Sequence, residues 1–257
     1  MKNSIRYILS MLGLAITKTT TMDELLARKS DFFARNDIQF GITFHEKFGD
    51  NFFELLEKSK SQIRQDLFVL SELNFKRDGY FVEFGATDGV NLSNTFLLEK
   101  EFDFDGILAE PNPIQSKTLR ENRHVNFEEN CVWVRSGDTL TFVDSGDLST
   151  ISDFSASDMH AEKRKSGKRF DVDTISLTDM LVKYSAPSLI DYLSIDTEGS
   201  EYEILNAHDF DRFKFRVITV EHNYTEQREK IFNLLTDKGY LRKHTELSHF
   251  DDWYVLQ

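Results

Sequence analysis

The chain has 257 residues, 40% hydrophobic and 29% charged, enough apolar material for one sizeable core carrying one catalytic domain and an extension. A formal net charge of -13 repels polyanions and argues against nucleic acid as a partner. The single cysteine, Cys131, excludes an internal disulfide and a cysteine-built zinc site, and places the chain in a reducing, cytoplasmic setting.

At the start of the chain, Lys2 and Arg6 precede an apolar stretch from Tyr7 to Ile16. It is shorter than the roughly 20 residues a bilayer span requires. A basic start and a short apolar run resemble a signal peptide, but no small-residue cleavage site follows. A docked or membrane-surface amphipathic helix fits better, giving a protein that is cytoplasmic or peripheral at a membrane. Residues 1 to about 75 read mostly as helix, with Ile63, Leu67, Leu70 and Leu73 recurring every three or four positions. A helical N-terminal extension is therefore expected, and it offers a surface for homo-oligomer formation.

From Tyr80 the texture changes to short apolar runs: Tyr80–Phe84, Gly106–Ala109, Asp191–Ile195 and Arg216–Val220. The segments after Val90, Pro113, Ser200 and Thr225 can carry helices. This alternation predicts an α/β fold with a mostly parallel twisted sheet and helices on both faces. Between the second and third runs lie further β-type stretches, 131–134, 140–143 and 172–175. The polar interval 144–171 reads as a loop or lid. Its basic residues Lys163, Arg164, Lys165, Lys168 and Arg169 suit either a solvated loop or a docking edge for an anionic glycan or a nucleotide-linked sugar. Gly239–Leu241 and Trp253–Leu256 read as a closing antiparallel pair.

Ligands of open α/β sheets bind beyond the carboxyl ends of the strands. The segments there are Gly85-Ala-Thr-Asp-Gly89, Glu110-Pro-Asn-Pro113, Asp196-Thr-Glu-Gly-Ser-Glu201 and Glu221-His-Asn-Tyr224. Two glycines admit a close backbone approach, although a tight turn without any ligand uses them equally well. Asp88 in the first loop would repel a pyrophosphate and suits a cationic ammonium or sulfonium. Glu110 follows the next run and can accept from ribose hydroxyls. Asp196 closes an apolar strand, where a carboxylate is costly unless paired, hydrogen-bonded or metal-bound. With Glu221 and His222 it makes a polar floor for proton abstraction or a metal.

The ordered motifs Tyr80–Gly89, Ala109–Pro113, Ile190–Leu205 and Val220–Asn223, with Gln62, Gln65 and Asp66 upstream, resemble the FkbM family of methyltransferases from about residue 61 onward. The resemblance implies a Rossmann-like methyltransferase domain over 61–257 behind a helical extension over 1–60, S-adenosylmethionine as donor, and O-methylation, often of a sugar in a glycan or glycosylated metabolite. It places Glu83, Gly85, Thr87 and Asp88 around the methionine part of the donor, Glu110 on the ribose and Asp196 beside the methyl group. Ala86, Gly89, Asn91 and Pro111 complete the implied donor site. Asp196, Glu221 and His222 stand where related sugar O-methyltransferases hold a divalent metal such as Mg2+. A histidine departs from the carboxylates usual there, and magnesium prefers oxygen.

A sugar hydroxyl is a weak nucleophile and needs a base or a metal. His222 is the first base candidate by intrinsic pKa and Asp196 the second, while a purely structural role remains open for His222. The other histidines are expected on the surface or in packing, and Trp253 in sheet closure. Two other readings compete: a catalytically silent glycan-binding protein on the same fold, and an NAD(P)-dependent oxidoreductase, for which the G-x-G-x-x-G turn is missing.

Overall fold

The computed structural model describes residues 21–144, 150–151 and 168–257. The expectations for the N-terminal apolar stretch, for Lys163–Lys165 and for His160 among the other histidines fall outside the described residues. Two compact units divide the chain, Met1–Phe53 and Glu54–Gln257.

In the first unit, a helix runs from Thr21 to Phe48 and a 3-10 turn from Gly49 to Asn51. Phe40, Phe44, Phe48 and Phe52 recur every four residues and pack their rings tilted or edge to face, with Phe40 and Phe44 centroids 4.5 Å apart. Among the described residues no helix is long and apolar enough to cross a membrane.

The second unit is built on a seven-stranded sheet. Its strands are β1 (Tyr80–Phe84), β2 (Asp105–Ala109), β3 (Asn126–Glu128), β8 (Leu189–Ile195), β9 (Lys214–Glu221), β10 (Tyr240–Lys243) and β11 (Asp251–Leu256). Their spatial order is 10-11-9-8-1-2-3. Strands β3, β2, β1, β8 and β9 are parallel, and β11 runs antiparallel to both β9 and β10. The expected parallel sheet and closing antiparallel pair are both present. The central strands are apolar without alternation because both faces are covered: Phe81, Val82, Ile190, Leu193 and Ile218 have no exposed surface. Trp253 is equally buried and stacks on Phe68 at 4.6 Å, so it closes the sheet as expected.

Helices follow the strands as the sequence predicts, at Phe96–Phe102, Pro113–Asn122, Glu201–Ala207 and Gln227–Asp237. The start of the second is set locally. Pro113 occupies the first turn, where its missing N–H costs nothing, and the Asn112 side chain accepts from Ile114 N at 3.0 Å.

A second sheet comes from the interval between β3 and β8. It contains β4 (Cys131–Trp133), β5 (Thr139–Asp144), β6 (Thr150–Ile151) and β7 (Lys168–Ser176), in the order 4-7-5-6. The expected loop over 144–171 is therefore shorter, because β5 and β7 pair out to Asp144 and Lys168.

Candidate active site

The chain reverses its direction of travel across the large sheet between β1 and β8, where a doubly wound sheet opens a crevice at its carboxyl edge. A cavity of about 930 Å3, part of it open to solvent, lies there. Its floor is the first loop, Gly85 to Thr87 with Asn91 to Asn94. Ala109, Glu110 and Pro111 close one end, and Ser194, Asp196, Thr197, Glu198 and Ser200 the other. Cys131, Val132, Phe142 and Ile151 of the small sheet add an apolar wall. Burial, then the charge of Glu110, pushes the Cys131 thiol up to about 12, so it acts as an apolar group.

Gly85 makes the crossing possible. Its φ is +69°, and a Cβ there would lie 2.0 Å from the Asp196 carbonyl oxygen. Glu110 lies almost buried, its carboxylate accepting from Thr87 N at 2.9 Å and Asn112 N at 2.8 Å. These bonds lock the end of β2 to the first loop. Glu83 accepts from Asn94 N, Ser93 Oγ and Thr95 Oγ1, at 2.7, 3.0 and 2.5 Å. Burial raises its carboxyl above the usual range, against the pull of Arg123 and these donors.

Two expected donor-site residues lie off the cavity wall. The Asp88 carboxylate turns into its own loop, accepting from Val90 N at 2.9 Å and Asn91 N at 2.8 Å. It therefore caps the turn instead of facing a cation. Gly89 packs behind the loop against Leu119 and Arg123, where a Cβ would meet Leu119 Cδ1 at 2.4 Å. Glu83, Gly85, Ala86, Thr87, Asn91, Glu110, Pro111 and Asp196 all line the cavity.

The acidic groups meet differently from the expected trio. Carboxylate oxygens of Asp196, Glu198 and Glu221 come within 4.8 Å of one another, and His222 is not among them. Glu198 reaches the cluster from a left-handed turn, φ 59°. Burial, then the charges of Asp196, Glu198 and Glu201, drives the Glu221 carboxyl well above its usual range. Glu201 accepts from Thr197 N and Gly199 N, both at 3.0 Å, and burial still lifts it to about 7.

His222 faces the other way. Tyr224 N–H donates to its Nδ1 at 3.0 Å, which puts the ring proton on Nε2, 3.8 Å from Asp252 Oδ1. Asp252 is held by Arg228 and Arg242. Burial depresses the imidazole pKa, opposed by Asp252. With one nitrogen spent on the 222–225 turn and the other directed inward, His222 is built to hold that turn. The ring also lines a second cavity beside Glu221, with Nε2 buried and without a hydrogen-bond partner.

Sequence reasoning missed three groups. Asn94 lines the cavity and donates to Ser194 Oγ at 3.0 Å, while its own Oδ1 is buried without a partner. Arg123, fully buried, donates to Gly89 O, Ser93 Oγ, Thr95 Oγ1 and Glu99, and so holds the first loop from behind. The apolar wall from β4, β5 and β6 is the third.

Residues 83–246, more than half of the chain, match the family model for the methyltransferase FkbM domain. The chain belongs to the FkbM methyltransferase family. Solved structures similar to this FkbM chain include methyltransferase FkbM from Methylobacillus flagellatus, with 12% identity and a TM-score of 0.44, covering 84% of this chain and 60% of that one. Another is precorrin-6y C5,15-methyltransferase from Geobacter metallireducens, with 16% identity and a TM-score of 0.41, covering 74% and 85%. A TehB-like SAM-dependent methyltransferase from Corynebacterium glutamicum has 10% identity and a TM-score of 0.39, covering 84% and 99%. No curated protein matches the chain.

Proposed function

We propose that this FkbM methyltransferase transfers a methyl group from S-adenosylmethionine to a hydroxyl of a sugar, in a glycan or a glycosylated metabolite. The observation that carries the reading is the charge pattern of the main cavity. Glu83, Glu110, Asp196 and Glu198 line it, with no Lys, Arg or His lining it among the described residues. A pyrophosphate would be repelled by such a wall, which disfavours the nicotinamide reading. A sulfonium, an ammonium and ribose hydroxyls are matched by it.

When bound, the donor supplies a methyl group on a positively charged sulfur. Glu110 accepts from the ribose hydroxyls, Asn94 Oδ1 from a donor N–H or O–H, and the wall of Val132, Phe142 and Ile151 covers the apolar ring system. Asp196, at the end of β8, holds the acceptor hydroxyl and takes its proton.

Asp196, Glu198 and Glu221 also fit a divalent cation. They offer only oxygen, as magnesium prefers, and Glu221 Oε2 is buried without a hydrogen-bond partner. A cation held there would lower the pKa of the acceptor hydroxyl. The test is transfer of label from isotope-labelled S-adenosylmethionine to a panel of free sugars and glycosides, followed by mass spectrometry with and without Mg2+. A product heavier by one methyl group supports the reading. Labelled product on amines alone would contradict it.

A further inference from the structure

A second cavity, about 720 Å3 and partly open, lies on the β9 side of the acidic cluster. Glu221 lines this second cavity, while Asp196 and Glu198 line the first. The three carboxylates lie within 4.8 Å of one another, so the cluster borders both cavities. The second cavity is therefore adjacent to the residue assigned above to hold the reacting hydroxyl.

Two buried oxygens in the second cavity lack partners, Glu221 Oε2 and Gln227 Oε1. The orientation of the Gln227 amide is set by its nitrogen, which donates to Gly199 O at 2.8 Å. Its oxygen is thus the end left over. A buried acceptor without a donor is destabilising, and a ligand supplying O–H groups would relieve it. Asn223 and Thr225 come from the turn anchored on His222, and Lys230 at the edge offsets part of the negative charge.

We infer that this second cavity is the acceptor subsite, taking a neutral carbohydrate through its hydroxyls, with Gln227 as a specificity-determining residue. The inference rests on the methyltransferase reading above and adds to it the place and chemistry of acceptor binding. A cavity of this kind discriminates strongly, because an analogue lacking the hydroxyl leaves the Gln227 oxygen unsatisfied.

The experiment is saturation-transfer NMR on the full chain loaded with S-adenosylhomocysteine, using methyl glycosides of mannose, glucose, galactose and rhamnose, and glucosamine as a cationic control. Wild type, Gln227→Ala and Gln227→Met are compared, with S-adenosylhomocysteine affinity measured on each as the check of folding. The expected result is transfer to at least one neutral glycoside in wild type, weakened five-fold or more in both variants at unchanged S-adenosylhomocysteine affinity. Equal transfer in both variants, transfer to glucosamine alone, or none to any sugar from a loaded wild type would overturn the subsite while leaving the donor site standing. Failure of wild type to bind S-adenosylhomocysteine would instead remove the donor reading, and the subsite with it.

Discussion

Two residues at the carboxyl edge of the sheet carry separable duties. Gly85 has a geometric one. Any side chain there would meet the Asp196 carbonyl oxygen at 2.0 Å and force a positive φ on a residue that resists it. Gly85→Ala is expected to destabilise the fold by about 2–4 kcal/mol, checked by urea unfolding, and to abolish donor binding. Asp196 has a chemical one. It is exposed in the cavity wall directly after β8. Asp196→Asn should therefore lower kcat roughly 100-fold or more while leaving S-adenosylhomocysteine affinity within a few-fold, as separate kinetic and calorimetric measurements would show. Near-normal turnover would remove Asp196 as the base. His222→Ala belongs to a different class. Losing the acceptor for Tyr224 N should loosen the 222–225 turn and cost about 1–3 kcal/mol, with donor affinity retained.

At the level of elements, the first loop is held by a helix remote in sequence. Arg123 reaches back to Gly89, Ser93, Thr95 and Glu99 from the end of the helix Pro113–Asn122. A buried guanidinium that loses its place leaves several acceptors unpaired. Arg123→Met should cost about 3–5 kcal/mol in chemical denaturation, and Arg123→Lys should not restore it. This residue also marks what a sequence can reveal. Strands β1, β2, β8 and β9 were legible because buried parallel strands are unbroken apolar runs. The carboxylates were legible because they follow those runs directly. Arg123 was not, since its partners lie 24 to 34 positions earlier and no local pattern marks it. The inward turn of His222 was hidden for the same reason, because Asp252 comes from a strand that pairs only through the tertiary fold. Asp88 is the opposite case. Its bonds to Val90 N and Asn91 N are a local turn habit of aspartate, so that signal was available in the sequence.

Taken as a whole, the molecule carries an acidic excess and gathers part of it at one edge. If a divalent cation occupies Asp196, Glu198 and Glu221, it binds the folded state alone. Mg2+ at 100 times its Kd should then add about 2.7 kcal/mol, seen as a higher Tm that Glu221→Gln abolishes. A stability effect of the opposite kind sits away from the site. His208 is buried, with Nδ1 at 3.1 Å from Thr178 Oγ1 and Nε2 at 3.1 Å from Phe213 O. Burial lowers its pKa from 6.5 to about 4. The unfolded chain therefore binds a proton between those values that the folded chain refuses, and stability falls as pH drops through that window. The loss amounts to roughly 3 kcal/mol at most. Unfolding free energies of wild type and His208→Gln, compared from pH 7 to pH 4, isolate it from buried carboxyls such as Asp66, which burial raises to about 6 and which act in the opposite direction.

The decisive measurement is calorimetric titration of the full chain with S-adenosylhomocysteine, beside Glu110→Gln. Glu110 joins β2 to the first loop and presents its carboxylate at the cavity, so it should set donor affinity. Saturable one-site binding to wild type, weakened about ten-fold or more in Glu110→Gln, is the predicted result. Absence of binding by well-folded wild type, or equal affinity in the variant, would contradict a donor site at the β1–β8 crevice.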